Sequence, residues 1–146
     1  FGSKLGVLRE LSVRCAGGPE MRAIRAAAEL EDPIDAVRAI VEASCNHWER
    51  QGHILLTLKA VVELEPGADQ MVDDQRRDQR EIMERLARGL AGAGHLDGLT
   101  VGEAASALHL VTSVETFMEL RRNAGLSLQA TKKVLRAMLD RTFDLP

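Results

Sequence analysis

The side chains best able to do chemistry are four histidines, two cysteines and a pair of inward-facing glutamines. His47, His53, His95 and His109 are scattered, and none stands in a nucleophile–base spacing. His53 and His95 fall at expected loop edges, where exposure is the default. Cys15 and Cys45 belong to no CxxC or Cys/His ligand set, so neither a metal nor a cofactor is expected, and both read as free thiols. No catalytic constellation emerges, and the chain does not read as an enzyme.

What remains is chemistry of recognition. Gln75 and Gln79 sit in the middle of an apolar helical arc with Met71, Val72, Ile82, Met83, Leu86 and Leu90. A buried amide must find a partner, because an unpaired one costs about 1–3 kcal/mol. Two such groups on one face point to a wet or ligand-lined cavity, or else to bonds with neighbouring helices or a place at a frayed solvent edge. His47 and Trp48 form the second candidate pair, with Phe117 a third contributor. Core packing is the competing reading for all three. Apolar walls with a few amide and imidazole contacts suit a lipophilic, weakly polar small molecule.

These residues must be positioned by helices. Helical periodicity dominates and no alternating strand is evident, so the fold class is all-α. A first helix begins at Leu5 and Leu8 and is interrupted by Gly17-Gly18-Pro19. A second runs from about Glu20 to Leu30. Asp32-Pro33 starts a third, as a capping side chain followed by a residue suited to the first turn. That helix is expected to reach about Gln51 and stop at Gly52, with another over Ile54–Glu65. A long helix follows from about Ala68 to Ala91. Thr100 and Glu103 fit a capping box opening a helix to about Asn123. Gly125 stops it, and Ser127 caps a last helix ending near Asp144.

Faces follow from rotating each residue by about 100°. In the helix from Pro33, the residues Asp35, Arg38, Glu42, Asn46 and Glu49 share one narrow polar stripe. The rest is so apolar that the helix must lie between neighbours. Lys59 and Glu63 are expected to pair as i,i+4. The charge run Asp73–Asp78 reads as a solvated face. The helix from Thr100 is apolar on more than one side, and the last helix is cleanly amphipathic. Such a pair can pack on its own domain and on a second copy of the chain.

The 146 residues carry a net charge of −3, with 45% hydrophobic residues. That is enough for one domain with a real core. An acidic chain is poorly suited to neutralising phosphates by itself. No apolar run approaches the length of a membrane helix, and no targeting segment is evident.

Two segments resemble one known family. Phe1-Gly2-Ser3-Lys4 followed by Val7-Leu8 resembles the end of the helix-turn-helix domain of TetR-family regulators, where Phe-x-x-Lys leads into the next helix. Leu5 stands where that family often has Glu. Gly94-His95-Leu96-Asp97-Gly98-Leu99-Thr100-Val101-Gly102-Glu103-Ala104-Ala105, with the later Gly125-Leu126-Ser127 break, is similar to the C-terminal half of the same family. Together with the helix order, the resemblance spans nearly the whole chain.

The resemblance implies a cytoplasmic, homodimeric transcriptional repressor that releases operator DNA when a small effector binds. Residues 1–8 would be the remnant of the helix-turn-helix domain. Residues 9–146 would form the ligand-binding and dimerisation domain, a bundle of about six helices. Lys4 matches the lysine that reaches a DNA phosphate, and operator contact would otherwise need the remainder of that domain. The last two helices would build a four-helix dimer interface, with Val111, Val114, Met118, Thr131, Val134, Leu135 and Met138 as its expected contacts. The alternative is a stand-alone all-α interaction module with no effector.

Overall fold

A computed structural model describes residues 2–146. Phe1, the first residue of the Phe-x-x-Lys segment, lies outside them. The described residues form helices and loops, with no strand among them. The helices are α1 (Lys4–Ala16), α2 (Pro19–Ala28), α3 (Pro33–Leu64), α4 (Asp69–Gly92), α5 (Val101–Thr112), α6 (Val114–Met118) and α7 (Leu128–Thr142). A π-helical turn, Glu119–Asn123, continues α6.

The helix starts are set by short polar side chains. Ser3 Oγ accepts the Gly6 N–H at 3.0 Å. Asp32 Oδ1 accepts the N–H groups of Ile34 and Asp35 at 2.9 and 2.8 Å, with Pro33 in the first turn. The expected capping box is present. Thr100 Oγ1 accepts the Glu103 N–H at 3.2 Å, and the Glu103 carboxylate accepts the Thr100 N–H at 2.8 Å. Ser127 Oγ accepts the Ala130 N–H at 3.1 Å.

Two expected boundaries are corrected. Gly52 does not end a helix: α3 runs through it for 32 residues, about 48 Å at the α-helical rise. Gly52 is where α6 crosses α3. A Cβ there would lie 3.0 Å from Met118 Sδ and 3.5 Å from a Val114 methyl. Glycine here lets two helices approach, a use that sequence alone does not separate from a stop signal. Conversely, the single helix expected over 100–123 is broken at Ser113, whose backbone is extended (φ −71°, ψ 149°).

The main core joins α2 to α7. At its centre lie Val37, Ile40, Leu90, Leu108, Phe117, Leu135, Leu139 and Phe143, each at most 1% exposed. A smaller cluster is separate: Leu8 of α1 meets Val62 of α3 and Ala68, with Leu5, Leu58, Val61, Met71 and Val72 around them. The long helices α3 and α4 therefore project beyond the main core and carry α1 on their far ends.

The segment from α6 to the C-terminus runs antiparallel along α3, and four ion pairs follow it in order. Lys59 pairs with Glu115, Glu49 with Arg121, Glu42 with Lys132, and Arg38 with Asp140. The polar stripe of α3 thus faces the C-terminal helices. The expected Lys59–Glu63 pairing is replaced by the one with Glu115, because α6 brings an acid across the helix interface.

Candidate functional site

The five expected ligand residues do not converge. Gln75 is exposed and Gln79 only half-buried. The apolar arc they share becomes core only from Met83 onward, at Met83, Leu86, Ala87 and Leu90. Upstream of Met83, α4 packs through Met71 and Val72 on the smaller cluster, and Gln75 and Gln79 fall between the two cores, so neither amide is an orphaned buried group. Phe117 is fully buried in the main core and offers no surface to a ligand.

His47 and Trp48 are different. Their rings lie 4.6 Å apart, tilted by 53°. His47 is 2% exposed, and its Nδ1 has no hydrogen-bond partner. Burial holds its imidazole below the ordinary histidine range, opposed in part by the nearby Glu20 carboxylate. Glu20 is itself held by Arg50 at 2.7 Å. The result is a neutral imidazole with one ring nitrogen unengaged, inside the protein. Trp48 is half-buried and its indole Nε1–H donates to the Thr112 carbonyl at 2.8 Å.

That bond has a local cause. At Ser113 the backbone leaves the helix, and the Thr116 N–H is taken by Ser113 Oγ at 3.2 Å. The Thr112 carbonyl therefore loses the donor a continuous helix would supply, and Trp48 replaces it. One stretch of α3 makes several contacts around the break: Trp48 to Thr112, Glu49 to Arg121, and Gly52 against Val114 and Met118, with Lys59 further along α3 pairing with Glu115. Sequence reading missed Thr112, Ser113 and Arg121. The available signal was Ser113-Val114-Glu115-Thr116, a capping serine followed by an acid in the first turn.

The expected dimer contacts divide into two groups. Val111, Val114, Thr131 and Leu135 are buried inside the single chain, so as placed they are core rather than interface. The reason is that α5 and α7 turn these faces toward α3 and each other. Met118 and Val134 are half-buried, and Met138 is 40% exposed. Leu110, outside the expected set, is 59% exposed on α5. Lys4 is exposed with its Nζ 2.9 Å from the Glu65 carboxylate, an ion pair that a phosphate would have to displace.

Two open clefts lie elsewhere. One, of about 480 Å³, is framed by Ala28, Glu29, Pro33, Ala36, Arg85 and Gly89. The other, of about 250 Å³, adjoins it between α2 and α4. None of the expected ligand residues lines either. Arg85 pairs with Glu29 across their shared rim, so its charge is already met.

Both cysteines are free, and burial pushes the Cys45 thiol up to about 11, which leaves it protonated and inert. Among the described residues, no three His, Cys, Asp or Glu side chains gather as a metal site would require. No described helix is long and apolar enough to cross a membrane.

Comparison with family models, with curated proteins and with solved structures returns no match for this chain.

Proposed function

We propose that this chain is the effector-binding and dimerisation domain of a TetR-like transcriptional repressor, acting in the cytoplasm as a homodimer. The observation that carries the effector reading is His47: a neutral imidazole, buried beside an indole, with Nδ1 unengaged. A buried polar atom without a partner is costly to the free protein and is relieved when a ligand supplies one. The effector would be a mostly apolar molecule with one hydrogen-bonding group, placed against His47 and Trp48. Operator DNA would be held by a helix-turn-helix domain of which residues 1–8 form the end, and effector binding would change the spacing of the two heads.

The dimer reading is supported by apolar side chains left in solvent on the last helices. Leu110 on α5 and Met138 on α7 are large and uncovered, and Val134 lies half-buried beside Met138 on the same side of α7. This set replaces the buried residues first expected there. Sedimentation of wild type against the doubly substituted Leu110→Glu/Met138→Glu chain tests it. The expected result is a dimer that the substitutions turn into a folded monomer. A wild-type monomer at high micromolar concentration would overturn it.

The second reading, a stand-alone helical interaction module, is favoured by the exposure of Gln75 and the packing of Phe117. Thermal-shift screening with a lipophilic library separates the two. A ligand that raises Tm in wild type and fails with His47→Leu supports the effector domain. No ligand at all favours the module.

A further inference from the structure

The stretch from Val101 to Asn123 contains only one glycine, Gly102, and no proline. Its local sequence is compatible with one continuous helix. The structure nevertheless breaks it at Ser113, and the break is held by groups on α3. Trp48 Nε1–H satisfies the Thr112 carbonyl at 2.8 Å. Two oxygens of Glu49 accept from Arg121 Nε and Nη2 at 2.9 and 2.7 Å. Gly52 admits Met118 and Val114. On the far side of α6, the π turn adds a second departure from regular α-helix, closed by Ala124 N–H to Glu119 O at 3.0 Å. The five-residue α6 is thus bounded by two irregularities and held on α3 by Trp48, Glu49 and Gly52 together with the Lys59–Glu115 ion pair further along the helix.

We propose that Ser113 is a two-position joint, extended when Trp48 donates to Thr112 and helical when that bond is lost. Both positions satisfy the backbone. In the extended position Ser113 Oγ accepts from Thr116 and Trp48 donates to Thr112 O. In the helical position Thr116 N–H would bond Thr112 O directly, the ordinary i→i−4 bond, and Trp48 would be free. The Ser113 Oγ–Thr116 and Trp48–Thr112 bonds are exchanged for the Thr116–Thr112 bond and the other i→i−4 bonds a continuous helix adds across the break, so neither position is without hydrogen bonds, as a bistable element requires. Resting on the effector and dimer reading above, the joint gives that site its regulation. A ligand packed against His47 would shift the adjoining indole, release Thr112 and swing α6 and the π turn relative to α3. The helices bearing Leu110 and Met138 lie on either side of the joint, so the swing changes the face offered to a second copy.

The test is the backbone ¹³Cα chemical shift of residue 113 in the full chain, which reports extended or helical conformation directly. Wild type is expected to show an extended value. Trp48→Phe keeps an aromatic ring and removes the donor. Ser113→Ala removes the hydroxyl that caps the extended form. Each is expected to move residue 113 toward the helical shift, and sedimentation of the same variants is expected to show weakened self-association. Should Trp48→Phe fold poorly, Ser113→Ala reads the joint by removing a single hydroxyl, at a buried position, and keeps the indole in place. Residue 113 staying extended in the folded variants overturns the joint. A helical shift with unchanged self-association overturns its regulatory role. A wild-type monomer defeats the dimer reading instead, and the chemical shift still decides the joint.

Discussion

Arg121 grips Glu49 with both arms of its guanidinium, Nε and Nη2 each meeting a carboxylate oxygen within 3 Å, while Nη1 donates to the Leu126 carbonyl at 2.5 Å. The two residues are 72 positions apart. The pair ties the middle of α3 to the π turn and to the loop that precedes α7, and it belongs to the ordered series of ion pairs along the α3–C-terminal contact.

The bonds from Arg121 hold the Glu49 carboxyl below its ordinary value of 4.5. A carboxylate so depressed adds stability above its unfolded value, and that stability is lost as pH falls through the lower folded value. Glu49→Gln is therefore expected to lower Tm at neutral pH and to shrink the loss of Tm below pH 4.5. Arg121→Gln is expected to do the same. Since both side chains are partly exposed, added salt should narrow the difference from wild type. Thermal melts across pH and salt check this.

His47 has linkage of the same sign from a different cause. Burial keeps its folded-state value below the ordinary 6.5, so between those two values the unfolded chain binds the proton and the folded chain does not. Stability is expected to fall as pH drops below 6.5 and to level off once the folded imidazole also protonates. His47→Leu removes this titration. Denaturant midpoints at pH 7.5 and 5.5 should differ less in the variant than in wild type.

Thr131 is fully buried on α7 with its hydroxyl unpartnered. Replacing it by the isosteric Val removes an unsatisfied polar group and keeps the volume. Thr131→Val is expected to stabilise the chain by about 1 kcal/mol, roughly 3 °C in Tm. A decrease in Tm would mean that the hydroxyl has a partner in solution.

At Gly52 two effects compete. Alanine gains up to about 1 kcal/mol in helix propensity. Its Cβ would meet Met118 Sδ at 3.0 Å, a flexible side chain that must move slightly. Gly52→Ala is expected near neutrality. Gly52→Leu cannot be accommodated without separating α3 from α6, and a loss of about 1–3 kcal/mol is expected by chemical denaturation.

Removing the Thr100 hydroxyl breaks one half of the capping box. Thr100→Ala is expected to cost about 1 kcal/mol. It also deprives Glu103 of a hydroxyl donor, though the Thr100 backbone N–H, the larger reason its carboxyl sits low, remains. The acid transition should therefore move only slightly.

Much of the local structure is written in short stretches of sequence. The caps at Asp32, Thr100 and Ser127 are recognisable because a side chain three residues or fewer from its partner needs no tertiary information. The same holds for the all-helical class, since a 3.6-residue period is local. The amphipathic face of α7 was also legible, and Thr131, Leu135 and Leu139 do point inward. What that face meets was not: a periodic apolar stripe fits a second copy of the chain as well as it fits the chain's own core.

Only the tertiary structure decided the rest, wherever the partner lies far along the chain. Gly52 reads as a helix stop until Met118 is seen against it. Ser113 sits in a helix-compatible stretch until Trp48, 64 positions away from Thr112, supplies the bond that lets the helix break. Gln75 and Gln79 share an apolar arc, yet they fall on the stretch of α4 between the smaller cluster at Met71 and Val72 and the main core from Met83 onward, where neither is fully buried. Periodicity determines which residues share a side of a helix. Whether that side meets core, solvent or another helix is fixed by contacts between residues tens of positions apart, which no local window contains.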